Sequence, residues 1–334
     1  MLFCRLSRCR ILCEKATFRF DIHKEVVLVI YSTIAPMARS FFIDGTDCER
    51  GYRNVRESKF LEPARNYTEK LWRVYEPYAD RHFRHDAKKH FLQRYWEMYL
   101  TVALIESGVD PVRLNGTGPE FYFEHDGHRV WIEAIAPGPG QGKDRVPKDL
   151  SKHGFSVPTE KILLRYTSAL TAKRDKLLID RTRGIVKPQD GYILAINCRA
   201  IPHAWLGGVI PYAIQAFLPF GPLTLMFDIR TMHITERYFQ RREAVSKQSG
   251  ASVSTKAFLD PSFAGISAII HSAVDAANAP VVLGADFFVL HNPLATVCVP
   301  INLFSHWKQF EFTNDQVTAI EPNHTVDPEV NKRR

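Results

Sequence analysis

The sequence has 334 residues, 45% hydrophobic and 24% charged, so the chain can bury a sizeable core and does not have the composition of a disordered protein. Its formal net charge of +8 favours anionic partners, among which nucleic acid is a usual one. The six cysteines include no Cys-x-x-Cys spacing, and no apolar run approaches the ~20 residues that a membrane span needs. We therefore expect a soluble, cytoplasmic protein without a zinc ribbon, a disulfide framework or a membrane partner.

The composition of the first 37 residues differs from that of the rest. They hold three of the six cysteines and a surplus of basic residues. We expect a poorly ordered N-terminal extension there, and a targeting segment is the alternative. Residues 38–320 predict a single α/β domain with a core over about 66–200, followed by a polar tail over 321–334. No repeat or linker divides that stretch convincingly.

Apolar residues recur at helical spacing over 66–107 and predict two helices parted near Pro77. Gly108 is a natural stop for the second helix. The short apolar piece 112–114 can start a sheet. Within the second helix, Glu97 borders the apolar stripe, and an ion pair with Arg94 is the alternative interpretation of its position.

The pair Asp126-Gly127 is typical of a type I′ turn and predicts a hairpin over 120–136. A two-residue turn fixes the register, so that Glu120 lies directly opposite Glu133. Like charges at this spacing, ~4.5–5.5 Å between Cβ atoms, destabilise a sheet unless something offsets them. A divalent cation is the simplest offset, which predicts a Mg²⁺ or Mn²⁺ site at the two glutamates. The alternative is that both side chains face water.

Further elements follow the hairpin. A helix is predicted over 158–178, and Lys161 and Arg165 lie four residues apart on one of its faces, away from the apolar stripe. A buried strand is predicted over 192–198. The second half predicts strands over 223–227 and 281–290, a strand or buried helix over 265–277, and a polar excursion over 236–250.

The order of these elements resembles the PD-(D/E)XK nuclease superfamily. The resemblance covers residues 91–198 and rests on Glu97 in the opening helix, Pro119-Glu120 at a strand start, and Glu133 on the neighbouring strand. It implies a restriction-endonuclease-like core, an α-β-β-β-α-β mixed sheet flanked by helices, with a C-terminal α/β elaboration.

The resemblance also implies metal-dependent hydrolysis of phosphodiester bonds in nucleic acid, DNA or RNA. Glu120 and Glu133 would hold Mg²⁺ or Mn²⁺, and Glu97 would orient a ligand or water. The sequence departs from the family at Ile135, where a lysine is usual. Since the cation lies elsewhere in some members, the resemblance makes Lys161 and Arg165 on the following helix candidates to replace it, and Lys143 and Lys148 in the loop after the hairpin are other candidates. The residues after about 205 would serve specificity or homodimer formation.

Other interpretations remain open at this level. Without the lysine, the chain could be a non-catalytic nucleic-acid-binding or scaffolding protein on the same fold. A glycosidase would need Glu120 and Glu133 with carboxyl groups ~5–5.5 Å apart in a long sugar cleft. His125 and His128 flank the turn and could hold zinc, but ordinary surface histidines are the simpler interpretation.

Overall fold

The computed structural model describes residues 39–114, 118–149 and 156–323. The described residues from Phe41 to Asn323 belong to one compact unit. The unit is mixed α/β, with a large mixed sheet between two apolar layers. Helices contribute to both layers, so the central strands are buried on both faces.

The helices are α1 (Arg50–Glu57), α2 (Glu62–Tyr75), α3 (Phe83–Lys89), α4 (Phe91–Glu106), α5 (Thr159–Thr182) and α6 (Tyr212–Phe217). The strands are β1 (Phe121–His125), β2 (His128–Ile135), β3 (Gly191–Asn197), β4 (Phe220–Phe227), β5 (Ile234–Arg241), β6 (Ala244–Ser246), β7 (Ser252–Ser254), β8 (Ala268–Ser272), β9 (Phe288–His291), β10 (Lys308–Thr313) and β11 (Gln316–Ile320).

The main sheet has seven strands in the order β1-β2-β3-β8-β9-β10-β11. Strands β2, β3 and β8 are mutually parallel, and β1 and β9 run antiparallel to their neighbours β2 and β8. Helix α5 makes the crossover that a parallel β2–β3 pair requires. All seven residues of β3 are buried, as expected for a central strand with both faces covered.

The two helices predicted over 66–107 correspond to α2 and α4. Helix α2 ends at Tyr75, and Pro77 follows in a short 3₁₀ turn. Gly108 stops α4 and has a φ of +84°, a left-handed conformation that favours glycine. The short helices α1, α3 and α6 had not been predicted as separate elements, since six to eight residues carry little periodicity.

The predicted turn is confirmed, because φ is +49° at Asp126 and +77° at Gly127, both positive as a type I′ turn requires. The register runs from His125↔His128 to Phe121↔Ile132. Phe121 belongs to the apolar layer shared with α2 to α4, whereas its neighbour Tyr122 belongs to the layer shared with α5. Both faces of the hairpin are therefore covered.

The C-terminal half differs more from expectation. The strand predicted over 281–290 is wrong for most of its length, because only β9 is a strand and Val281 and Val282 are 86% and 67% exposed. The segment 265–277 contains strand β8. The polar excursion contains β5, which pairs with β4 in a separate, largely exposed ribbon. In the described part of the chain, no helix has both the length and the apolarity to cross a membrane.

Candidate active site

Glu133 is the most deeply buried carboxylate of the predicted site, with its side chain only 1% exposed. Its Oε1 accepts a short hydrogen bond from Lys173, and its Oε2 accepts one from Lys176. Both lysines belong to α5, which crosses this face of the sheet. Lys176 also donates to the backbone oxygen of Gly118 at 2.9 Å, which ties the helix to the segment ahead of β1. Two cations thus neutralise one buried anion.

Glu97 lies in α4 and is 3% exposed. Gln93 Nε2 donates to its Oε1 at 2.8 Å, and Arg94 Nη1 donates to its Oε2 at 2.7 Å. Burial raises the pKa of Glu97, and Arg94 and the hydrogen bond from Gln93 oppose that rise. Gln93 also bonds the backbone of Ala134 and Ala136, so it fixes α4 to the end of β2. The ion pair with Arg94 that the sequence suggested is therefore present.

Glu120 does not follow the strand register that the turn sets for β1 and β2. In that register Glu120 and Glu133 would form a non-bonded pair, yet the Glu120 amide donates to the Ile132 carbonyl at 3.0 Å. The regular strand begins one residue later, at Phe121, after Gly118 with a φ of +125°. The predicted direct opposition is thus wrong in detail, because the bend ahead of β1 shifts Glu120 out of register.

Glu120 is nevertheless close to both other carboxylates. Burial raises its pKa to about 8, and the charges of Glu97 and Glu133 add to that rise. Arg113 opposes it from 3.7 Å, measured from Nη2 to Glu120 Oε2, and Arg94 opposes it from farther away. Glu97 and Glu133 therefore lie within electrostatic range of Glu120, and Glu120 has the weakest compensation of the three.

Two buried polar atoms beside this cluster have no hydrogen-bond partner in the described structure. They are Tyr192 Oη on β3 and Asp180 Oδ2 on α5. Burial raises the pKa of Tyr192 well above its usual value, and the charges of Glu133, Asp180 and Glu120 add to this. Buried polar groups without partners are uncommon, and an ordered water or ion is a usual explanation.

Lys161 and Arg165, the two cations proposed from the sequence, contact other parts of the chain. Lys161 Nζ donates to the carbonyl of Lys143 at 2.9 Å, and Arg165 Nε donates to the carbonyl of Gly138 at 2.9 Å. Both therefore fasten the loop after β2 to the first turns of α5. The lysines that do meet an acid come two to three turns later on the same helix.

Sequence reasoning missed Lys173, Lys176 and Asp180, although a signal for them exists. These residues are spaced by three and four, so they share one helical face. That face could be recognised as significant only if it was known to lie over Glu133, and periodicity alone does not give the placement of a helix across a sheet.

The carboxylates of this cluster are oxygen donors of the kind that a hard divalent cation takes. Mg²⁺ is commonly held by one or two carboxylates, with water and substrate phosphate in the remaining positions. Glu120 and Glu133 supply two such carboxylates, and the unpartnered Tyr192 Oη and Asp180 Oδ2 leave hydrogen bonds for ordered water. Among the described residues no group of three His, Cys, Asp or Glu side chains forms a ready cage for a metal. The residues thus fit an open site completed by water and substrate.

The histidine-based candidates give no second site in this geometry. His125 and His128 pair with each other at the end of the hairpin that the turn closes. His271 bonds Tyr166, whereas Ser272 Oγ donates to Asp286, so His271 and Ser272 do not form a hydrolase pair with each other.

Comparison with models of known protein families, with curated proteins and with solved structures found no match.

Proposed function

We propose that this protein is a metal-dependent nuclease that hydrolyses phosphodiester bonds in nucleic acid. The observation that carries the proposal is that two lysines of the crossover helix bind the buried Glu133, while Glu97 and Glu133 lie within electrostatic range of Glu120. Acids and a cation at this position are the components that the resembled nuclease family uses.

The order of elements supports the restriction-endonuclease-like part of the proposal. Helix α4 is followed by a bridge from Val112 to Tyr122, then by β1, β2, α5 and β3. With the isolated bridge at Val112 counted as a β segment, the order is α-β-β-β-α-β, in which the first three segments pair antiparallel and the last pair is parallel. The family pattern implied by the sequence has the same order.

Each side chain has a role that its contacts suggest. Glu120 and Glu133 would hold the cation, which when bound would activate a water and stabilise charge on the leaving oxygen. Glu97 is fixed by Gln93 and Arg94 and would orient a water or ligand. Lys173 and Lys176 would exchange part of their contact with Glu133 for a phosphate oxygen, taking the place of the lysine missing at position 135. The net charge of +8 would favour nucleic acid as the partner.

One observation favours a second candidate, a non-catalytic nucleic-acid-binding protein on the same frame. Both oxygens of Glu133 are already paired with lysines. Such a network can be purely structural, since a buried charge must be compensated whatever its function. In that case neither Glu120 nor Glu133 would be needed for binding.

The test is cleavage of labelled duplex DNA, single-stranded DNA and RNA with Mg²⁺, with Mn²⁺ or with EDTA. The wild-type chain would be compared with Glu120→Gln and Lys173→Met, and with Glu124→Gln as the matched control. Glu124 belongs to the same hairpin, but its side chain is 59% exposed and pairs only with Arg129.

We expect metal-dependent cleavage that falls at least a hundredfold in Glu120→Gln and Lys173→Met and is unchanged in Glu124→Gln. Unfolding curves of each variant would show that the fold is retained. Binding without cleavage by the wild-type chain on all three substrates, unaffected by Glu120→Gln, would support the non-catalytic alternative instead.

A further inference from the structure

A cavity of about 270 Å³ lies at the carboxyl end of β8, away from the three acids. One side is formed by the segment after β3, from Ala204 to Tyr212, and the other by residues that follow β8 or flank β9. The carboxyl ends of parallel strands are the usual place for ligands in sheets of this kind.

Trp205 provides an aromatic surface in the lining of this cavity. Its side chain is 47% exposed, whereas the other four tryptophans of the chain are 2% exposed or less. The Arg199 guanidinium lies over the Trp205 ring at 5.1 Å from its centroid. His203, two residues earlier, has a φ of +65°, a conformation that is costly for a residue with a Cβ and is often retained at functional sites.

The polar groups of the cavity are few and well fixed. His271 is 8% exposed, and burial lowers its pKa to about 3, so its ring is neutral at physiological pH. Tyr166 Oη and His271 Nε2 lie 2.8 Å apart. Asp286 accepts hydrogen bonds from Tyr99 at 2.7 Å and from Ser272, both of them uncharged hydroxyl donors.

The charge of the cavity limits what it can hold. Among the lining residues that the structure describes, Asp286 is the single acidic side chain and none is a lysine or arginine, while Arg199 stands beside the cavity over Trp205. The lining offers a phosphate no cation of its own, and a purely apolar ligand would bring Asp286 no hydrogen-bond donor. A flat ring with N–H donors satisfies both Trp205 and Asp286, because aromatic surfaces stack on bases and carboxylates accept from amino groups.

We propose that this cavity binds a nucleobase that carries an exocyclic amino group, with its ring against Trp205 and its amino group directed to Asp286. Asn278 also lines the cavity, but its side-chain amide already accepts from the Asp275 amide and donates to the Ala273 carbonyl, so Asp286 carries the polar recognition. The proposal concerns binding alone and does not depend on the nuclease proposal.

His271 of the cavity lining and Glu133 lie on the same face of the sheet, the one that α5 covers. His271 contacts Tyr166 of α5, and Glu133 contacts Lys173 and Lys176 of the same helix. Two strand spacings and two residues of register separate the backbones of Glu133 and His271, which corresponds to roughly 12 Å. One strand of nucleic acid could therefore place a base in the cavity and a phosphate at the acids, and this step alone rests on the proposed function.

The experiment is titration of the full chain with adenosine, cytidine, guanosine and uridine in EDTA, followed by calorimetry. Inorganic phosphate would be titrated as a separate probe. The variants are Trp205→Ala and Asp286→Asn, and the matched control is Tyr238→Ala, an aromatic side chain on β5 that is also 47% exposed. Metal-free buffer keeps the result independent of any cleavage.

We expect the three amino-bearing nucleosides to bind more tightly than uridine and phosphate to show no binding. Trp205→Ala should weaken binding at least fivefold, as loss of a base-stacking surface does, and Tyr238→Ala should not change it. Asp286→Asn should reduce the preference over uridine, and unfolding midpoints would show that the variants are folded. Absence of binding at millimolar nucleoside, or equal binding by Trp205→Ala, would overturn the proposal.

Discussion

Two buried polar clusters contact α5, and they handle charge in opposite ways. Near the end of the helix, Lys173 and Lys176 neutralise Glu133, and further ion pairs surround Glu97 and Glu120. Nearer its start, Tyr166 meets a neutral His271, and the adjacent Asp286 is held by hydroxyl groups. The first cluster consists of ion pairs, whose partners a charged ligand could exchange. The second cluster suits an uncharged ring.

The two clusters also differ in the pH at which they weaken the fold. Burial raises the pKa of Glu120, so ionisation of this acid at high pH lowers the free energy of unfolding. Burial lowers the pKa of His271, so protonation of this base at low pH lowers the free energy of unfolding. Stability should therefore be highest between these limits.

The largest effect is expected at Glu133. Glu133→Gln leaves Lys173 and Lys176 without their anion, and removing one partner of a buried ion pair costs about 3 to 5 kcal/mol. Urea unfolding at pH 7 would measure this loss. The control Glu124→Gln should change the free energy of unfolding by less than about 0.5 kcal/mol. Equal losses in the two variants would show that the Glu133 network is not a buried one.

His271→Gln tests the neutral cluster. The pKa of His271 in the folded chain, about 3, lies below its ordinary value of 6.5, so the folded state binds fewer protons between these limits. The resulting stability is present above pH 6.5 and is lost as the pH falls, by about 3 kcal/mol at pH 4. The glutamine variant should lose less between pH 6.5 and pH 4 in thermal or urea unfolding. Parallel curves for the wild type and the variant would contradict a buried, neutral His271.

Glu120→Gln should give a smaller change of the opposite sign. The folded-state pKa of about 8 exceeds the ordinary 4.5, so the folded chain binds more protons and the free energy of unfolding falls as the pH rises between them. With allowance for partial exposure, we expect the wild type to lose about 2 kcal/mol from pH 5 to pH 8. The variant should be flatter, and unfolding at both pH values would measure it.

Added Mg²⁺ sharpens this last comparison. If Glu120 and Glu133 hold the cation, millimolar Mg²⁺ at pH 8 should raise the stability of the wild type and not that of Glu120→Gln, by mass action on the folded state. A rise of equal size in both proteins would show that the cation binds elsewhere.

Much of the first half of the fold follows from local sequence. Asp126-Gly127 sets the turn and the register of β1 and β2, and Gly108 ends α4. The second half was harder because its strands are short and its apolar residues are not where the strands are. Val281 and Val282 suggest a strand but lie in an exposed turn, whereas the hairpin of β10 and β11 had a readable signal in alternating residues around Asn314-Asp315.

The candidate site divides in the same way. Glu97, Glu120 and Glu133 could be selected from spacing and from their apolar neighbours, since a carboxylate among buried residues is conspicuous. Their cations could not, because the choice between Lys161 and Lys173 depends on where along α5 the helix passes over Glu133. The bend that moves Glu120 out of register likewise depends on Gly118 and its surroundings, not on the turn at Asp126.

The sequence by itself determined the elements whose signals are local: the hairpin and its register, the end of α4, the central strand β3, and the three acids. Tertiary structure decided which charges meet, because the long helix α5 presents several cations and only its packing on the sheet places Lys173 and Lys176 at Glu133. It also formed the cavity beside Trp205, since that cavity joins residues from two connections that lie far apart in the chain.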